Sequence, residues 1–451
     1  MTQGCAWLAQ PVNVCLALLA SVLLLGSKVM AEQPRLTLGL DGYTQSRLST
    51  SSDSTVGSSL NADAGINASA GARWQSGTRQ INLGYQFNTR ASYGSWLDLD
   101  NAESQLSNQL TGSAIYLQQD RFERWDVSAS HQATVYNPEQ GLTLNPFDLE
   151  VRQGLSLAGG VNLQPSSRTT FRVSINAGTS FSADLSPLGR TLGWASSLRR
   201  QLRPRSSASV QISQTYAYAP DVDEPMRIDT AQLGLNRTLE NGTISATLGI
   251  SQSTQNNRSN EALTGSLTRR WQWAEHQTDI TLSRSISSTL LDLTQASELP
   301  GSTIDPTPGD DITTEQGTSP VTPEPLGIQD SLQIAFNTQR LCELCSLTYS
   351  AGTTRSDQFS TSSIEYGANA SLGLRYQVTP QQTARANYKW QGLGLNTSDR
   401  QETHQASLGW SRNLDRRLGV NASLQYVRSI SDTSEEETAV RIGANYRLGT
   451  L

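Results

Sequence analysis

Hydrophobic residues recur at every second position along almost the whole chain from Glu32 onward. Ile81, Leu83, Tyr85 and Phe87 alternate with Asn82, Gly84, Gln86 and Asn88, and Phe171, Val173, Ile175 and Ala177 with Arg172, Ser174, Asn176 and Gly178. The same beat runs through Ala208–Tyr218, Ile364–Val378, Val420–Tyr426 and Val440–Leu448. Side chains of an extended strand point to opposite faces in turn, so each run predicts a strand with one apolar and one polar face. No stretch shows a helical period of 3.6. Runs of this length suit tilted strands that cross a bilayer.

The links between the runs alternate in length. Short turns are predicted at Gln75–Arg79, Gln119–Arg124, Pro165–Arg168, Arg203–Ser207, Glu240–Thr243, Gln272–Glu275, Thr379–Gln382 and Asn413–Arg417. Between them lie longer polar links, among them Ser49–Ser58, Thr89–Glu103, Asn137–Glu150, Thr254–Asn260, Gln391–Thr403 and Ser431–Glu437. An up-and-down barrel has this rhythm, with tight periplasmic turns on one rim and long loops on the outer one. The fold expected is therefore all-β: a transmembrane, up-and-down antiparallel barrel of about 18–20 strands. The longest link, 288–329, carries Pro300, Pro306, Pro308, Pro320, Pro323 and Pro325 among many acidic residues. It is expected to be a disordered outer loop, with a constriction folded into the lumen as the alternative.

Composition adjusts this picture without changing it. Only 36% of the 451 residues are hydrophobic and the mean hydropathy is -0.42, which leaves no bundle of membrane helices but suits a wall that is apolar on one face only. The net charge of -6 supplies no basic surface for nucleic acid. The one continuous apolar run, Val14–Leu25, is short for a span and is followed by Val29-Met30-Ala31, a small-x-small pattern. Residues 1–31 are therefore expected to be a cleaved signal peptide and 32–451 the barrel, although the basic residue Lys28 follows the run instead of preceding it. Cys5 and Cys15 would leave with the signal. Cys342 and Cys345 remain as a Cys-x-x-Cys pair with no second ligand pair nearby for zinc. A structural disulfide and a redox pair both stay open; the absence of a βαβ context and an oxidising envelope favour the disulfide.

Little catalytic chemistry is visible. His131 lies mid-strand on the apolar row of Trp125 and Val127, while His276 follows a short turn and His404 a long one. The last two fall on opposite rims, so the three histidines cannot share a metal or a triad. No phosphate loop, calcium loop or catalytic carboxylate pair appears. The expectation is a non-enzymatic protein with no catalytic residues, no cofactor and no metal. Trp74, Trp125, Trp271 and Trp410 near strand ends suit interfacial girdles or ordinary packing. Gly159-Gly160 and Gly178 inside strands are expected to relieve crowding or allow curvature.

Several stretches resemble a family of outer-membrane barrels associated with exosortase (PEP-CTERM) and exopolysaccharide loci: Gln80–Asn88, Asn108–Ala114, Trp125–Gln132, Arg355-Ser356-Asp357, Ala370–Tyr376, Glu402–Trp410 and Arg441–Leu448. The closing Leu448-Gly-Thr-Leu451 departs from the aromatic residue with which such barrels usually end. The resemblance implies an outer-membrane conduit or anchor in exopolysaccharide export, and it brings no catalytic residues. Implied partners are outer-membrane lipid and lipopolysaccharide, the barrel-assembly machinery and polysaccharide-export proteins. A general diffusion porin, or a structural barrel that displays its loops, is the alternative.

Overall fold

A computed structural model describes residues 35–51, 59–93, 104–122, 124–136, 150–220, 224–255, 258–287, 327–342, 344–358, 364–397, 400–415, 417–431 and 434–450. The expected signal peptide and most of the Pro-rich link lie outside the described residues.

Twenty antiparallel strands form one sheet in which each pairs with its neighbours in sequence. They are β1 (Arg35–Ser51), β2 (Ser59–Ser76), β3 (Arg79–Tyr93), β4 (Ser104–Gln119), β5 (Trp125–Tyr136), β6 (Glu150–Ser166), β7 (Thr169–Phe181), β8 (Pro187–Arg203), β9 (Ser206–Tyr218) and β10 (Met226–Leu239). There follow β11 (Gly242–Gln255), β12 (Arg258–Gln272), β13 (His276–Ser287), β14 (Gly327–Cys342), β15 (Cys345–Gln358), β16 (Ile364–Thr379), β17 (Gln382–Leu393), β18 (Gln401–Asn413), β19 (Leu418–Ile430) and β20 (Ser434–Thr450). The last strand pairs with the first over Thr37↔Thr450 to Ser51↔Glu435, so the sheet closes on itself. Closure gives every strand two neighbours and leaves no open edge.

The wall is the inverse of a soluble protein's. In β1, Leu36, Leu38, Leu40 and Leu48 are exposed, while Tyr43, Gln45 and Arg47 between them are buried. On the far side Leu233 is 61% and Leu263 58% exposed, yet Ser251, Ser253 and Thr264 face inward and are buried. A continuous exposed surface of Leu, Ile and Val is tolerated only where lipid covers it. No helix of the described residues is long and apolar enough to cross a membrane; the crossing is made by strands. The chain is thus a transmembrane barrel of the outer-membrane kind, with its polar rows turned to the lumen.

The strands run from 12 residues in β5 to 18 in β2, longer than the roughly 9–11 that a tilted strand needs to cross the hydrocarbon. This length accounts for several differences from the sequence reading. Arg258–Asn260, assigned to a polar link, open β12, Ser434–Glu437 open β20, Thr89–Tyr93 close β3, and Gly327–Gln329, assigned to the long Pro-rich link, open β14. Polar residues keep the ladder going beyond the apolar belt because backbone pairing does not depend on a lipid-facing side chain. The link between β7 and β8 is also compact: Asp184 accepts hydrogen bonds from the hydroxyls of Ser182 and Ser186 and from the Ser186 amide.

Candidate functional site

The inward rows form the surface that any solute inside the barrel would meet. Much of it is a lattice of hydroxyls paired across strands. Thr230 meets Ser251 at 3.0 Å, and Ser251 in turn meets Thr264 at 3.0 Å. Ser130 pairs with Ser156, Ser283 with Ser331 and Ser350 with Ser371, each at 2.6 Å. Directly opposed residues on a pleated sheet place their side chains within reach, so short hydroxyl residues satisfy one another and keep their remaining lone pairs for water.

Set into this lattice is a charged cluster that straddles the closing seam. Tyr43 on β1 lies opposite Gly443 on β20 and Gly65 on β2, and Gly65 lies opposite Arg90 on β3. With no side chain on either side, the Tyr43 ring can lie against the wall; a Cβ on Gly65 would come within 2.4 Å of the phenol carbon and oxygen. The guanidinium of Arg441 sits 3.9 Å from the ring centroid and that of Arg90 5.5 Å, so the ring is bracketed by two cations. Arg90 donates to Gln45 at 2.9 Å and to Asp63 at 3.1 Å, and Arg441 approaches Asp41 at 3.7 Å. Four strands, the first three and the last, meet in this one network.

A second cluster lies on β5, β6 and β7. Arg172 makes a two-pronged contact with Asp126, at 2.6 and 2.9 Å, and donates to Asn162 at 3.0 Å. Gly160 makes room for it, since a Cβ there would meet the guanidinium at 2.6 Å. This is the crowding expected of Gly160; Gly159 next to it would meet only ordinary contacts, at 3.6 Å and beyond. A third, more exposed pair joins Arg270 to Asp279 at 2.7 Å. Sequence alone does not pair these luminal arginines with their carboxylates, which lie on other strands. The available signal was a charge of each sign on the polar rows of strands near in sequence, with a glycine in one of the rows between them.

The histidines do not converge. His131 turns to the lipid-facing side, where its Nδ1 is 2.6 Å from the Tyr85 hydroxyl. His404 meets the Tyr388 hydroxyl at 2.9 Å on another part of the wall, and His276 stacks on Phe336 with centroids 6.1 Å apart. Among the described residues no group of three or more His, Cys, Asp or Glu could hold a metal ion. Cys342 and Cys345 face each other at the β14–β15 turn with Cα atoms 5.0 Å apart and their sulfurs in bonding contact. Of the tryptophans, Trp125 and Trp410 are lipid-facing and partly exposed near short turns, as a girdle requires, whereas Trp74 is covered.

No family model matches the chain, and no curated relative matches it. Solved structures with a similar outline include the FrpB iron transporter of Neisseria meningitidis (F3-3 variant), at 10% identity and a TM-score of 0.46 over 93% of this chain and 82% of that one. Two others are OpdO of Pseudomonas aeruginosa, at 11% identity and 0.37 over 92% and 98%, and OccK7 (OpdD) of the same organism, at 12% and 0.39 over 92% and 100%. Likenesses at this level carry no argument about function; the fold rests on the strand pairings themselves.

Proposed function

We propose that the protein is a non-enzymatic diffusion pore of the outer membrane, admitting small hydrophilic solutes. The observation that supports this most is the inward face: a closed wall of twenty strands lined by paired hydroxyls, amides and arginine–carboxylate contacts. Barrels of 16–18 strands already enclose an aqueous channel, and a polar lining lets water fill a wider one. Its partners on this reading are outer-membrane lipid, lipopolysaccharide and the barrel-assembly machinery. Residues 1–31 would direct export and be removed, and the bond between Cys342 and Cys345 would form in the oxidising envelope.

The test is electrical. Purified barrel added to a planar bilayer should give stepwise, ohmic current, and its absence from a folded, heat-modifiable sample would end the pore reading. Exopolysaccharide export, implied by the sequence resemblance, is the second reading, and the hydroxyl-rich wall favours it in so far as it can exchange hydrogen bonds with sugars. Added oligosaccharide should then interrupt the current in discrete events, whereas a plain diffusion pore would show only the drop expected from viscosity.

A further inference from the structure

The lipid-facing wall is not even. On β16–β20 the outward residues are mostly large, but Ala384 and Ala422 flank Trp410 in one cross-strand row and Ala386 follows in the next. These small residues floor an apolar dent of about 450 Å³ between Tyr376, Trp410 and Leu424. That volume falls within the roughly 300–1,000 Å³ of pockets that take small ligands. The dent lies in the half of the wall nearer the short turns, and the outward row of β18 reads Leu408, Trp410, Arg412 toward that rim. Arg412 is exposed, pairs in register with Gln382 and Val420, and has no ion-pair partner among the described residues. It lies two residue steps beyond Trp410, about 7 Å along the strand.

Apolar dent, interfacial indole and free guanidinium therefore follow one another in the order in which a membrane lipid presents acyl chain, glycerol and phosphate. Charge around the rim agrees. Arg200, Arg237, Arg269 and Arg412 occupy the outward rows of β8, β10, β12 and β18 toward the short turns, and no Asp or Glu shares those row ends. At the opposite rim, outward arginines are matched by acids, as in Arg227–Asp229, Arg284–Asp330 and Arg428–Glu436. Short turns face the periplasm in barrels of this kind, so the unmatched arginines meet the phosphates of the inner leaflet.

We propose that the dent beside Trp410 seats an acyl chain of one inner-leaflet phospholipid whose phosphate is held by Arg412. This is independent of whether the lumen conducts. The intact barrel, released from micelles doped with phosphatidylglycerol, should carry one retained lipid in a native mass spectrum. Arg412→Gln should weaken retention roughly fivefold, the usual effect of one arginine at a membrane surface. Ala386→Phe, or Ala422→Leu should the first fail to fold, should fill the dent and abolish retention, while Arg200→Gln, on β8 and so away from this dent, should leave retention unchanged. Equal losses from Arg200→Gln and Arg412→Gln would reduce the effect to a diffuse basic collar and overturn the seat. So would retention that ignores both the charge and the dent variants, or a dimer that disappears in the Ala386 variant and shows a second copy to be the occupant.

Discussion

At the scale of single residues, the luminal cluster turns on what is missing as much as on what is present. Tyr43 can lie between Arg441 and Arg90 only because Gly65 has no Cβ. Gly65→Val would drive the phenol off the wall and separate it from both guanidinium groups. Forcing a side chain into an occupied space costs about 1–3 kcal/mol. The urea midpoint of the detergent-solubilised barrel should fall accordingly, and the double variant Gly65→Val/Tyr43→Ala should recover part of the loss. A midpoint unmoved by Gly65→Val would mean that the ring has other room. His131 illustrates the opposite case. A histidine on a lipid-facing strand invites a catalytic reading, but hydrogen bonds with the Tyr85 hydroxyl and the Gln153 side chain account for its polar ring.

At the scale of elements, strands and faces were readable because the alternation is strict: a slip of one residue would turn every leucine of β1 into the lumen. The limits of the strands were less readable. A lipid-facing residue announces itself by being apolar, but the portion of a strand above the belt is polar on both faces and looks like a loop, as Arg258–Asn260 and Ser434–Glu437 do. Residue contacts within the lumen were not readable at all without register, since Arg90 and Asp63 stand 27 positions apart. The dent on β16–β20 was hidden for the same reason, because Ala384, Ala386 and Ala422 become neighbours of one Trp only across three strands. The cysteine turn belongs to this scale too. A disulfide between residues three apart restrains very little unfolded chain, so it stabilises by about 2 kcal/mol at most. The Cys342→Ser/Cys345→Ser variant should insert and remain heat-modifiable, and neither cysteine of the parent should react with maleimide under non-reducing denaturation. Labelling of both would show the pair to be reduced.

At the scale of the whole molecule, stability is held in the unbroken ring of ladders. The folded barrel should migrate differently from the boiled chain on a gel run without prior heating, and removing residues 434–451 should abolish that difference entirely instead of lowering its transition temperature by degrees. A truncated chain that still shows a fully shifted band would mean that nineteen strands can close without the last. The seam has a further consequence, in time more than in space. The strand that leaves the cell's interior first finds its second partner only when the strand made last arrives, so until then the nascent wall is a sheet with two raw edges, each a template for pairing with a neighbour. Such a chain has to be chaperoned for the full length of its export. Closure between β1 and β20 therefore works as a check on completeness: a product cut short anywhere before the seam never hides its edges, and remains recognisable to whatever machinery clears unfinished protein from the envelope.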